Sequence, residues 1–371
     1  MKTLFLHIGV HKTGSTSLQA VAHLHREALA RQGLHVVQTG ATNDGNHVLL
    51  SRALLRDPAA SRSVPLDLTI WQAARDEIVH SPCPAALITS EEFTAVGLEG
   101  IAALAGLMEA ASVDVQVMVF LRDQLAALRS NHVELLKQGL IEHDFASYLA
   151  MSALDADFVE SIDRFNYQLL LQPWISVFGQ DRIKAVHYQP LRDTVSEFFA
   201  RIGMPGAVGR TRSPARLNTS PSEVVVRLLV LVNRYLTLCE DLAPQRRTQI
   251  TYGLYRQASA QYPEGGSTTV CSASLLRMLK CHFSRSNEWV EKTFGLRVKF
   301  DRAVRTRSLA GEPTLPPSEI ERWLLEARAG VAYSLTLVEA GNVTEELASA
   351  GKQNAAIDRG DGPDLVSAPT A

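Results

Sequence analysis

The sequence predicts an α/β fold: a mainly parallel central sheet with helices on both faces and additional helices towards the C-terminus. Three observations predict it. A short apolar run, Leu4-Phe5-Leu6-His7-Ile8, meets a glycine-bounded turn and then a segment in which Leu18, Val21, Ala22 and Leu29 recur at helical spacing. Further apolar runs alternate with stretches of helical period, the pattern of a parallel sheet covered on both faces. Three strand ends carry polar groups: the turn after Ile8, Ser90-Glu91-Glu92 after Thr89, and Arg122-Asp123 after Leu121. Ligands of open parallel sheets bind outside the carboxyl ends of the strands, so these groups are expected to converge.

The elements follow in order. Residues 34–37, after Gly33, read as a strand. Residues 40–45 are a loop, His47 opens an apolar segment to Leu55, and residues 71–79 read as a helix. Ser81-Pro82-Cys83-Pro84 breaks the chain before a strand at 85–89. Residues 101–111 are helical, and 115–121 form the clearest strand in the chain. The next helix runs to about Gln138, where Gly139 suits a C-cap. Helices are expected at 145–151, 158–178 and 195–202, with a strand at 181–188 between the last two. Residues 203–218 are loop-like and basic, with Arg210, Arg212 and Arg216. Ser220-Pro221-Ser222-Glu223 reads as a capping box with proline at the first helical position. Helices fill the stretch to Phe294, residues 302–317 are a linker, and 318–337 are helical. The expected domain organisation is one α/β domain over 1–300, of which 210–300 is a mostly helical extension. A linker and helical region at 301–350 and a disordered tail at 351–371 follow.

Composition narrows the function classes. A length of 371 residues, 46% hydrophobic and 20% charged, suits a soluble globular enzyme-sized chain. A net charge of −2 gives no global attraction to nucleic acid or anionic membrane, so any basic site is local. No stretch approaches a membrane span. Cys83, Cys239, Cys271 and Cys281 are widely spaced and form no metal or disulfide pattern, which points to a reducing, cytoplasmic compartment.

Chemistry concentrates in Gly9-Val10-His11-Lys12-Thr13-Gly14-Ser15-Thr16-Ser17. A strand–turn–helix of this kind aims backbone N–H groups and the positive end of a helix dipole at one point, where an anion can bind. The glycines have the separation of a P-loop, but Ser15 stands where a P-loop has its lysine, and Lys12 lies two positions before Gly14. Ordinary ATP chemistry is weakened accordingly. A second pair is Arg122, ending a strand, and Ser130, about two turns into the next helix: an arginine fork and a hydroxyl suited to a phosphate. Read alone, Arg122 pairs with Asp123 or caps a neighbour; with the anion turn upstream, the phosphate reading is the stronger.

The run His11-Lys12-Thr13-Gly14-Ser15-Thr16-Ser17 resembles the 5′-phosphosulfate loop of sulfotransferases that use 3′-phosphoadenosine 5′-phosphosulfate (PAPS), in its bacterial form. Leu121-Arg122-Asp123-Gln124, through Ser130 to Lys137-Gln138-Gly139, resembles the family's 3′-phosphate segment. Phe165-Asn166-Tyr167 to Gly179, His187-Tyr188 to Gly203, and Ser286-Asn287-Glu288-Trp289 extend the resemblance over about residues 3–297. The resemblance implies a P-loop-like sulfotransferase fold and transfer of a sulfuryl group from PAPS to a hydroxyl or amine. The acceptor class is a carbohydrate, glycolipid or small metabolite, the product nucleotide is 3′-phosphoadenosine 5′-phosphate (PAP), and no metal is required. Lys12 and the loop residues Thr13, Gly14, Ser15, Thr16 and Ser17 would hold the 5′-phosphosulfate. Arg122 and Ser130 would hold the 3′-phosphate. Glu91, the first acid after its strand, would be the general base. Its neighbour Glu92, His11 in the anion loop and His47 are the other candidates, and the competing reading of either glutamate is a cap on the helix that follows. The arginine-lysine-glycine loop of several family members is missing from residues 210–216. Two other readings compete. A P-loop kinase would need a lysine beside Gly14 and an acidic Mg²⁺ ligand, for which only Asp123 is placed. A non-catalytic nucleotide-binding protein would bind PAP without turnover.

Overall fold

Among the described residues, the apolar runs pair into five strands with helices between them. The computed structural model describes residues 1–10, 13–55, 66–155, 158, 161–189, 193–208, 221–240, 242–263, 273–298 and 316–339, with 333–339 as backbone alone. In chain order the elements are β1 (Lys2–Ile8), α1 (Ser15–Leu24), α2 (Arg26–Arg31), β2 (Leu34–Val36), α3 (Val48–Ala53), α4 (Thr69–His80) and β3 (Ala85–Ser90). There follow α5 (Leu98–Ala110), β4 (Val113–Leu121), α6 (Gln124–Lys137), α7 (Phe145–Leu154), α8 (Tyr167–Phe178), β5 (Ile183–His187) and α9 (Thr194–Arg201). The last helices are α10 (Glu223–Thr237), α11 (Pro244–Gln261), α12 (Ala273–Phe294) and α13 (Pro317–Glu339).

The sheet has the order β2-β3-β1-β4-β5, with every pairing parallel. β1 is therefore central, flanked by β3 and β4. Its register pairs Ile8 with Ser90 of β3 and His7 with Met118 of β4. The three polar strand ends are thus neighbours at one edge of the sheet.

Strand side chains alternate between two apolar layers. Leu4, Leu6 and Ile8, with Val113, Val115, Val117, Val119 and Leu121, pack against Trp71 of α4, Leu104 of α5 and Trp174 of α8. Leu87, Met118 and Phe120 face the other way, onto Leu18 of α1 and Phe198 and Phe199 of α9. Strands buried on both faces explain the near-continuous apolar runs.

The chain divides into two compact units. One comprises residues 1–134, 143–220 and 265–312 and holds the sheet; the other comprises 135–142, 221–264 and 313–371. In the second unit, Asn233 of α10 donates to the carbonyls of Leu136 (2.9 Å) and Ile141 (2.8 Å) and accepts from Thr251 of α11 (3.0 Å).

Several boundaries differ from expectation, and three of them have a clear local cause. The helix expected over 158–178 begins only at Tyr167, because the Asn166 side chain caps it by accepting from Leu169 N (3.2 Å). The capping box expected to start at Ser220 is displaced: Ser222 is the N-cap of α10, accepting from Val225 N, and Pro221 precedes the cap. The strand expected over 181–188 is the shorter β5, because Gln180–Arg182 form a 3₁₀ turn.

Candidate functional site

The turn after β1 is built around Gly14. It caps α1 in the left-handed region (φ 88°) with no side-chain cap, and Leu18 N closes the first helical bond onto Gly14 O at 3.1 Å. The amides of Ser15, Thr16 and Ser17 precede that bond and have no intrahelical acceptor. Thr13 spends its hydroxyl on the turn, donating to Val10 O at 2.6 Å. Gly9 is needed for close approach, since a Cβ there would lie 2.4 Å from Ser15 Oγ. Ser15 is only 5% exposed, and its hydroxyl has no hydrogen-bond partner among the described residues. An orphaned buried hydroxyl is costly, and an anion in the turn would satisfy it. Thr16 is exposed and Ser17 half-buried. His11 and Lys12 lie outside the described residues.

On one side stands the end of β3. Ser90, not a glutamate, caps the 3₁₀ turn Glu91–Ala95, its Oγ accepting from Glu92 N at 3.3 Å. Glu91 is turned towards α1, where Gln19 Nε2 donates to its Oε2 at 2.8 Å. Glu92 is half-buried on the same turn. His47 is fully buried and bonded through both ring nitrogens, to Val37 O (2.7 Å) and the backbone of Thr89 (3.2 Å). Burial lowers its pKa, and it ties Val37, just after β2, to Thr89 within β3. His7 lies beneath the turn, its Nδ1 2.8 Å from Thr89 Oγ1 and its ring edge-on to Phe120 and Phe198. Burial pushes its pKa down to about 3, so it is neutral.

On the other side stands the end of β4. The buried Tyr167 hydroxyl accepts from Arg122 N (3.2 Å) and donates to Arg122 O. Burial raises its pKa, so it keeps its proton. The Arg122 guanidinium carbon is 5.5 Å from the centre of the Tyr188 ring. Asp123 caps α6 by accepting from Ala126 N (2.8 Å), and Gln124 exchanges amide hydrogen bonds with Asn287 of α12. Ser130 is half-buried in the second turn of α6. Tyr188 and Thr194 line a cavity of about 220 Å³ that also takes in Phe120, His187 and Leu296. Thr194 lies against Gly14, at 2.9 Å from where a Cβ there would be.

The chain is similar to a sulfotransferase. That protein, from Alicyclobacillus acidocaldarius, has a crystal structure that aligns with 80% of this chain and 96% of its own, at 11% identity and a TM-score of 0.41. No family model and no curated protein matches the sequence. Among the described residues, no helix is long and apolar enough to cross a membrane.

The structure thus sets the turn of Thr13, Gly14, Ser15, Thr16 and Ser17 between the strand ends bearing Glu91 and Arg122. The basic stretch Arg210, Arg212 and Arg216 lies outside the described residues. Sequence reasoning missed Gln19, His7 and Tyr167 as site residues. Gln19 follows Leu18 on α1, and only the structure shows it to be 2% exposed, so no local signal in the sequence marked it.

Proposed function

We propose that this chain transfers a sulfuryl group from PAPS to a hydroxyl or amine of a carbohydrate or small-molecule acceptor. One observation carries the reading: an uncapped helix N-terminus with the orphaned, buried Ser15 hydroxyl, set between strand ends that bear Arg122 and Glu91. The turn fits a 5′-phosphosulfate, because its first-turn amides have no intrahelical acceptor and that hydroxyl has no partner among the described residues. Arg122 offers a planar fork and Ser130 a hydroxyl to a 3′-phosphate. The cavity between Tyr188 and Thr194 supports placing part of the nucleoside between the two anion sites.

When bound, PAPS supplies an activated sulfuryl group. Lys12 and the turn amides would stabilise negative charge growing on the nucleotide's phosphate side, where preorganised donors contribute most. Glu91 would take the proton that the acceptor gives up. The Gln19 amide holds one carboxylate oxygen, and the other has no hydrogen bond among the described residues. None of these roles asks for a metal.

The test is transfer of labelled sulfuryl from PAPS to a panel of sugars, glycolipids, phenols and amines. The reading predicts label on at least one acceptor class and PAP formed in equal amount. Mg²⁺-dependent ATP turnover without any transfer from PAPS would instead identify a phosphotransferase.

A further inference from the structure

We propose that Tyr167 is a positioning residue for recognition of the 3′-phosphate, clamping the backbone from which the Arg122 side chain springs. The inference rests on the reading of Arg122 given above. Arg122 is the first residue beyond the β-ladder. The last pair on this side is Leu121 with His187, and the Leu121 carbonyl is taken by Tyr188 N at 2.7 Å. The sheet therefore does not hold Arg122 itself. The Tyr167 hydroxyl does: it receives Arg122 N–H at 3.2 Å and donates to Arg122 C=O. These two groups belong to the peptide planes on either side of one Cα. Fixing both fixes φ and ψ of Arg122, and so the direction of its Cα–Cβ bond.

The clamp is itself anchored. Tyr167 is fully buried at the start of α8, where Gln168 N donates to Ser286 Oγ of α12 at 3.3 Å. The same helix supplies Asn287 to Gln124, so α12 supports the corner 122–124 from both directions. Tyr188 stands against the guanidinium, and Tyr167 supplies the backbone half. Phenylalanine would fill the same volume and lose both hydrogen bonds.

The test compares affinities for PAP and 5′-AMP by calorimetry in the wild type, Tyr167→Phe and Ile78→Ala. Ile78 belongs to the same apolar layer, on α4, and controls for a general loss of stability. Tyr167→Phe should lower the preference for PAP roughly five- to tenfold, the scale of one or two hydrogen bonds, with 5′-AMP affinity unchanged. Ile78→Ala should lower the melting temperature and leave the preference intact. A Tyr167→Phe protein with the wild-type preference overturns the clamp, as does an equal loss in Ile78→Ala. A wild type with no preference overturns the reading of Arg122 itself, and the clamp with it. Should Tyr167→Phe not fold, Ser286→Ala loosens the same anchor: a reduced preference supports the clamp, and an unchanged one overturns it.

Discussion

At the scale of single residues, Glu91 and Glu92 share a strand end and a chemistry, and Gln19 separates them. Its amide holds the Glu91 carboxylate against the helix that begins at the anion turn. A carboxylate so held can face an acceptor, so Glu91→Gln is expected to cut turnover roughly 10²-fold. PAP affinity should stay near the wild-type value, and Glu92→Gln should turn over almost normally. Steady-state rates of both variants, with PAP binding measured alongside, check this. A dead Glu92→Gln beside an active Glu91→Gln would contradict it. The position of Glu91 was legible because a strand run ends just before it. Gln19, His7 and Tyr167 were not, because their partners lie 72, 82 and 45 residues away and only the fold brings them together. Nothing in the local pattern distinguishes a clamping tyrosine from one that merely fills the core.

At the scale of elements, the turn between β1 and α1 depends on one left-handed residue. Gly14 has φ 88°, and a Cβ there would lie 2.9 Å from Thr194 Oγ1 of α9. Gly14→Ala is expected to destabilise the protein by about 1–2 kcal/mol from the backbone alone. Urea denaturation should show a lower midpoint, and an unchanged midpoint would contradict the geometry. Strand and helix identities here were legible in apolar period, but several ends were not. Asn166 and Ser222 set the starts of α8 and α10 because their side chains reach an amide three residues on. Ser220, with Pro221 and Glu223, offered a competing local signal for the same helix start, and Ser222 took the cap.

At the scale of the whole molecule, buried histidines make the sheet-bearing unit sensitive to acid. Burial holds His7 at about 3 and, against the His143 carbonyl that it bonds, His132 at about 4. Both are neutral in the folded protein and take up protons when unfolded, so stability falls as pH drops below about 6.5. The loss per histidine is on the order of 2 kcal/mol by pH 5. Glu77 adds to it at lower pH. Burial opposes its charge, but hydrogen bonds from His35, Thr39 and Gln38 prevail and hold it at about 2, so its contribution fades as pH falls from 4.5. The melting temperature should therefore fall steadily from pH 7 to pH 4.5, and a flat profile would contradict the assignment. The class of fold was legible at this scale, because alternating strands and helices leave few alternatives. The order of the strands was not, since the sequence does not say which neighbour each crossover selects.

A site that reads both a 5′ anion and a 3′-phosphate must separate PAP from 5′-AMP, and calorimetry of the two nucleotides measures that separation. The wild type should bind PAP far more tightly, and Arg122→Ala should remove most of that difference, about 2 kcal/mol for a charge-assisted contact. Equal affinity of the wild type for the two nucleotides would rule out a 3′-phosphate site at Arg122.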